Sequence, residues 1–405
     1  MQQGILQSID PALIGERIAD ARRERRLTQA DLAEELGVAR TTITAMEKGE
    51  RRPRASELVK IARILDRSVR TLIQPVENDS SPAFAVQFRR STAHHGDALV
   101  SDIRIFEQLC QWYLDLEELL AEPLPRRYPL VYDIAGAPPD RAAEEVASSE
   151  RNRLGLGDGP VADLWGLLET DIGLRLLKFP MRDTSTAGMF LYSELFGGCI
   201  AINASHPPER QRWTAAHEFA HFLSDRMRPE ISVLKKRSRQ PQSERFADDF
   251  ARCFLMPASG LIRKFEGMRR AKSSGISPAD ALILARHYTV SFEAMMLRLE
   301  ELNLVPGGTH VYLKGRGFRP EEGKRLLGLD LGRHDEIGPQ RYLTLCAEAF
   351  QRGDLSEGEL AQRLNLSRVD ARDAVQRLTT MHTITSEGEY EQGSLDLAAA
   401  LVPER

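Results

Sequence analysis

The sequence predicts a mainly α fold with a small β-sheet (α+β): a helix-turn-helix bundle first, a central domain built around a His-Glu-x-x-His helix, then a helical C-terminal domain. Three observations lead to this expectation. Apolar residues recur at helical spacing through most of the chain, as at Ile103, Phe106, Leu109, Cys110, Tyr113, Leu116 and Leu120. Three short apolar runs, Leu174–Phe179, Met189–Tyr192 and Cys199–Asn203, read as strands. Aromatic residues make up 6% of the chain, which fits a helical build better than a β-sandwich.

At 405 residues the chain is too long for one ordinary domain. Its texture divides it into a helix-turn-helix domain at 1–75, a helical linker region at 76–160, the central domain at 161–305 and the C-terminal domain at 306–405. The first boundary rests on the turn formers and charges of Gln74–Pro82. A hydrophobic fraction of 42% and a charged fraction of 28% are those of a soluble globular protein. Net charge is −4, which excludes a generic polyanion binder, yet residues 15–75 carry 14 Lys/Arg against 10 Asp/Glu. A basic module on an acidic body suits a protein that meets nucleic acid through one part only. Cys110, Cys199, Cys253 and Cys346 form no CxxC pair, so neither a cysteine zinc site nor a disulfide framework is expected. The N-terminus lacks a signal-peptide layout, and no apolar run approaches the roughly 18 residues of a membrane span. A cytoplasmic location with no membrane partner is expected.

Thr28 is a good N-cap for a helix containing Leu32, Ala33 and Leu36, Gly37 supplies a tight turn, and a second helix starts near Arg40 with Ile43 facing inward. This is a helix-turn-helix, whose second helix presents its first residues to the major groove. The stretch resembles the Xre family of phage-repressor-like regulators over Leu27–Ala33, Gly37-Val38, Ile43, Glu47–Glu50, Pro53, Leu58 and Ile61-Ala62. The resemblance implies that Gln29 closes the first helix against a phosphate, that Arg40, Thr41, Thr44 and Ala45 line the reading face, and that Arg22 pairs with Glu47. Arg40 there suits a bidentate contact to guanine, and Arg51, Arg52 and Arg54 suit the phosphate backbone. Ala39 stands where the family uses a Ser or Thr cap, a loss of about 1 kcal/mol.

After an amphipathic helix over Asp102–Ala121 and another near Asp140–Arg153, a helix over Asp163–Thr170 precedes the three strands. Cys199–Asn203 is expected to serve as an edge strand that pairs with an extended substrate. Two helices then carry the central motif, Pro208–Arg226 and Ser243–Phe254, the second ended by Pro257. His217 and His221 lie four residues apart, on one helix face, so both imidazoles reach one metal ion. Glu218 is placed to act as general base. Glu244 and Asp248 share a face of the next helix, so one carboxylate can bind the metal while the other accepts a hydrogen bond from a ligand histidine. Two His, one Glu and a water make the open site of a hydrolytic zinc enzyme. His206, His94, His95 and Tyr192 are weaker candidates.

The block Trp213–Leu223 with Glu244–Pro257 resembles the ImmA/IrrE family of metallopeptidases, over about Val161 to Leu304. The resemblance implies a zincin-like peptidase domain that uses Zn2+, with Mn2+ as an alternative, and that cleaves Xre-type repressors after DNA damage or a mobile-element signal. Phe246 stands where many members carry a second acidic residue, which leaves Glu244 as the third ligand beside His217 and His221, and Asp248 as its neighbour's hydrogen-bond partner.

Helices follow over Pro278–Tyr288 and Ser291–Asn303, and residues 306–335 read as Gly-rich and irregular. Leu355–Arg368 echoes Leu27–Arg40, as a second helix-turn-helix-like unit or an ordinary three-helix cap that touches no DNA. The expected function is a DNA-binding transcriptional regulator whose zinc-dependent peptidase cleaves a partner repressor, or itself, in a stress or DNA-damage response. Its expected partners are a double-stranded DNA operator, that repressor, single-stranded DNA as activator and a second copy in a homodimer. The alternative is a transcription factor whose metallopeptidase-like domain is a non-proteolytic sensor or dimerisation module.

Overall fold

The computed structural model describes residues 10–67, 69–73, 96–227, 232–235, 242–273, 275–329, 338–384 and 390–394. It has the mainly α fold with a small sheet that the sequence predicts. The Gln74–Pro82 boundary lies outside the described residues.

The chain opens with α1 (Pro11–Glu24), α2 (Gln29–Leu36), α3 (Arg40–Glu47), α4 (Ala55–Leu65) and α5 (Val69–Ile73). Thr28 and Asp31 cap α2 reciprocally, each side chain taking the other's backbone N–H (3.2 and 2.7 Å). Gly37 ends it at φ 75°, and Ala39 starts α3 without a side-chain cap. Ile14, Ile18, Leu32, Ile43, Met46, Leu58 and Ile61 fill the core between these helices. Arg22 grips Glu47 with two hydrogen bonds (2.6 and 3.0 Å), tying α1 to the end of α3.

Next come α6 (Asp97–Leu120), α7 (Pro139–Arg153) and one turn, α8 (Leu164–Gly166). The regular helix expected over Asp163–Thr170 instead widens into a π-helix, Leu167–Ile172, which Gly173 ends at φ 89°. The sheet contains β1 (Arg175–Phe179), β2 (Thr186–Ser193) and β3 (Gly197–Asn203); α9 (Pro208–Asp225) follows, then β4 (Ser232–Lys235), in the strand order β1-β3-β2-β4. β3 pairs parallel with β1 and antiparallel with β2. The edge role expected for Cys199–Asn203 is therefore wrong: β3 is interior, and all seven of its residues are buried. An unbroken apolar run belongs to a strand covered on both faces, not to an exposed edge. The four-residue β4 is too short to announce itself by alternation.

α10 (Gln242–Leu255) leads through Pro257 into α11 (Ala258–Arg270), a helix the sequence reading left unassigned. α12 (Pro278–Tyr288) and α13 (Phe292–Glu301) follow, capped by Ser277 and Ser291. Within the stretch expected to be irregular, 306–335, lie α14 (Thr309–Gly315) and α15 (Pro320–Leu326). The glycines that suggested irregular structure there include left-handed punctuation at Gly308, Gly317 and Gly328 (φ 84°, 78° and 62°).

The chain closes with α16 (Arg341–Gln351), α17 (Glu357–Leu364), α18 (Arg368–Thr379) and an antiparallel hairpin of β5 (Thr380–Ile384) and β6 (Tyr390–Ser394), which the sequence reading did not include. Two compact units result. One gathers residues 1–79, 115–122 and 341–405; the other gathers 80–114 and 123–340.

Two helical glycines make opposite predictions. A Cβ on Gly15 of α1 would meet Met46 O at 2.2 Å and Glu47 O at 2.7 Å, whereas one on Gly267 of α11 meets nothing within 4 Å. Gly15→Ala is expected to destabilise the first unit by about 1–3 kcal/mol through overpacking. Gly267→Ala is expected to stabilise the second by up to about 1 kcal/mol through helix propensity. Shifts of the urea midpoint at constant slope check both.

Candidate metal centre and nucleic-acid interface

α9 and α10 each have a polar and an aromatic face. On α9 His217 and His221 share one face and Phe219 lies opposite, while Glu218 and Phe222, four residues apart, share the side between them; all five are buried. On α10 Glu244 and Asp248 keep partial exposure, while Phe246, Phe250 and Phe254 are buried. The Phe219 ring meets Phe250 and Phe254 edge-on, each at 5.8 Å between centroids, and Phe250 stacks on Phe254 at 5.3 Å. Phe246 points into this packing, 6.1 Å from Phe250.

That packing brings three donors together. His217 Nε2 and His221 Nε2 lie 3.2 Å apart, and each lies 3.5 Å from an oxygen of Glu244. A tetrahedral ion with bonds of about 2.0–2.1 Å has ligand-to-ligand edges of roughly 3.3–3.4 Å. The separations straddle that value, so the donor set fits zinc. His217 Nδ1 meets Asp248 Oδ1 at 2.9 Å, and His221 Nδ1 faces Asp225 Oδ2 at a longer 3.7 Å.

Both carboxylate oxygens of Glu218 are buried without a hydrogen-bond partner among the described residues. Burial pushes this carboxyl up to about 7, against the opposing pull of His221 and His217. Burial also disfavours a charged His217, but hydrogen bonds to Asp248 and Glu244 outweigh it and lift the ring to about 9. For Glu244, burial is likewise outweighed, by the bond to His217 and the charges of the two histidines, and its carboxyl sits below the usual range.

Sequence reasoning missed two contributors. Asp225 stands four residues after His221, the same-face offset that could have flagged it. Gly188 of β2 lies against the ligand helix: a Cβ there would stand 2.4 Å from Thr214 Cγ2 and 3.0 Å from Glu218 Oε1. Nothing in the local sequence signals that approach. Of the weaker candidates, His206 Nε2 contacts Thr184 O at 3.3 Å and Tyr192 packs edge-on against Tyr128 at 6.4 Å. His94 and His95 lie outside the described residues.

In the helix-turn-helix, Arg40 and Thr41 are exposed at the start of α3. Gln29 and Thr44 face each other instead: Thr44 Oγ1 donates to Gln29 Oε1 at 3.1 Å, and Gln29 Nε2 donates to Glu47 Oε2 at 2.7 Å. Their side chains hold α2 against α3. Arg51 bonds Glu57 at 2.8 Å, and Arg52 is half-buried.

Residues 169–300 match the profile of the IrrE N-terminal-like domain, peptidase family M78. Residues 18–72 match that of a helix-turn-helix domain. The chain thus carries a helix-turn-helix domain of the Xre type and a metallopeptidase-family domain. Over 67 residues it is 34% identical to the HTH-type transcriptional regulator YqaE of Bacillus subtilis, a match that takes 16% of this chain and 58% of that regulator. The solved structure of Bacillus thuringiensis PlcR in complex with the peptide PapR7 and DNA is similar at 13% identity, over 90% of this chain and 94% of that one. Its TM-score of 0.16 is too low to bear on the fold. No helix among the described residues is long and apolar enough to cross a membrane.

Asp248→Asn is expected to weaken zinc affinity about 10–100-fold by loosening the His217 ring. Asp225→Asn should have a smaller effect, because its contact is longer. Competition with a chromogenic chelator measures both.

Proposed function

We propose that this chain is a transcriptional regulator whose central domain is a zinc peptidase that hydrolyses a bond in a partner repressor, or in the chain itself, in a stress or DNA-damage response. The observation that carries the reading is the buried Glu218 carboxylate, without a hydrogen-bond partner among the described residues, beside three converging donors, His217, His221 and Glu244.

His217 and His221 through Nε2, and Glu244 through its carboxylate, would hold zinc, with manganese as an alternative. When bound, the ion supplies Lewis acidity toward a carbonyl and a water. Glu218 takes a proton from the attacking water as the water oxygen bonds to the carbonyl carbon. It returns that proton to the amine nitrogen as the C–N bond breaks, so the water's atoms end in the two products. A carboxyl whose proton affinity lies near neutrality serves both transfers. Asp248 accepts the Nδ1–H of His217 and so leaves Nε2 as that ring's ligand atom.

The DNA partner is a double-stranded operator, met by Arg40 and Thr41 at base edges and by Arg51 and Arg52 near the backbone. A homodimer and activation by single-stranded DNA belong to the same reading.

Zinc-loaded protein incubated with an Xre-type repressor, with and without single-stranded DNA, tests the reading. Glu218→Gln is expected to lower cleavage about 100-fold or more, while zinc stoichiometry and operator binding persist. Arg40→Ala is expected to cost about 1–3 kcal/mol on the operator, read by titration at fixed salt, with cleavage unchanged. A chain that cleaves no repressor and whose regulation is indifferent to Glu218→Gln is a non-proteolytic sensor instead.

A further inference from the structure

The N-terminal and C-terminal helix-turn-helix units compare residue by residue. Leu27–Arg40 aligns with Leu355–Arg368. Both first helices begin on a reciprocal cap, at Thr28 and at Ser356. Both turn on a left-handed residue, Gly37 at φ 75° and Asn365 at φ 53°. Both second helices start on an arginine, Arg40 in α3 and Arg368 in α18, and after α18 the β5–β6 hairpin follows where a wing would stand. Topology alone would make the C-terminal unit a second DNA reader.

The side chains argue otherwise. Both leading arginines are exposed, but Arg368 reaches Asp66, with Nη2 2.5 Å from Oδ2. Asp66 is the left-handed C-cap of α4, at φ 54°. Around this pair Ser356 Oγ donates to Asp66 O at 2.8 Å, Arg67 Nη1 lies 3.5 Å from Gln362 Oε1, and the Thr71 hydroxyl donates to Glu359. Gly358 of α17 makes the close approach possible, since a Cβ there would stand 2.1 Å from Asp66 Oδ2. The remaining cations of α18 are exposed and engage neighbours in their own unit: Arg372 lies 3.4 Å from Glu357, and Arg377 Nε donates to Asp373 O, one turn back, at 3.2 Å. Asp370 and Asp373 are exposed on the same helix. From Arg341 onward the sequence carries 7 Lys/Arg against 11 Asp/Glu, a balance that repels a polyanion.

We propose that the C-terminal helix-turn-helix unit is a protein-docking module and not a second DNA reader, and that its partner is the α4–α5 corner of the N-terminal unit of the same chain. The reading arginine of the helix-turn-helix is turned to a carboxylate on protein. A left-handed acidic cap at Asp66 gives it a target that projects from the corner, and the absent side chain at Gly358 gives the target room.

Hydrogen exchange on the full chain tests this. In an undocked α17, Gly358→Ala would only raise helix propensity. In the docked one its methyl meets Asp66, and amide exchange of residues 61–73 is expected to rise ~10-fold. Asp66→Asn, which keeps a residue that tolerates positive φ, is expected to raise exchange of residues 356–368 in the same way. The combined variant Arg372→Gln/Arg377→Gln is expected to leave affinity for a mixed-sequence DNA duplex, and its salt dependence, unchanged. Unaltered exchange in both docking variants overturns the proposal. So does a shallower salt slope in the arginine variant, by ~1–2 in log–log units, which would mark α18 as a DNA-binding helix.

Discussion

The site depends on one packing interaction, the edge-on contact of Phe219 with the stacked pair Phe250 and Phe254. Each ring is fully buried and contributes about 1.5–3 kcal/mol, and edge-on contacts add direction to the apolar drive. Because α9 and α10 each carry phenylalanines on one face and metal-ligand chemistry on the other, the interlock of the rings sets the separation of the polar groups. Glu244 stands 3.5 Å from His217 and from His221 across this packed pair of helices. Phe246, where a second carboxylate would otherwise stand, belongs to this interlock.

Burial then gives each polar group its character. Glu218 is shut in by α9 and by the backbone of β2 at Gly188, so its carboxyl holds a proton near neutrality, while Glu244, bonded to His217, stays charged. Two glutamates within one cleft thus differ widely in proton affinity, Glu218 raised by burial and Glu244 lowered by its histidine neighbours. Asp248 and Asp225 stand behind the two histidines at 2.9 and 3.7 Å. The first contact is a hydrogen bond that orients its ring; the second is too long to do so.

The two helix-turn-helix units make the same point on a different chemistry. Their caps, turns and exposed leading arginines are alike, yet Arg368 is paired with Asp66. In the N-terminal unit Gln29, Thr44 and Glu47 form an internal brace with Arg22, so the outward chemistry of α3 reduces to its first residues. What such a motif recognises depends on which of its polar groups the surrounding packing has already engaged.

Sequence reading reached furthest where the physics is local. Thr28 and Ser291 as caps, Gly37 as a turn, the His217–His221 offset and the strands near 174–203 all follow from interactions within a few residues, and each is present in the structure. It fell short where distant segments meet. The interior place of β3, the strand β4, the helices within 306–335 and the approach of Gly188 to Glu218 leave no periodicity in their own neighbourhoods. The sequence by itself determined which residues could bind metal and which helix could face DNA, because residue type and helical spacing are written in order along the chain. Only the tertiary structure decided how far apart the donors stand, which carboxylate is shut from water and which arginine is already paired, because those are set by close packing between segments that are remote in sequence.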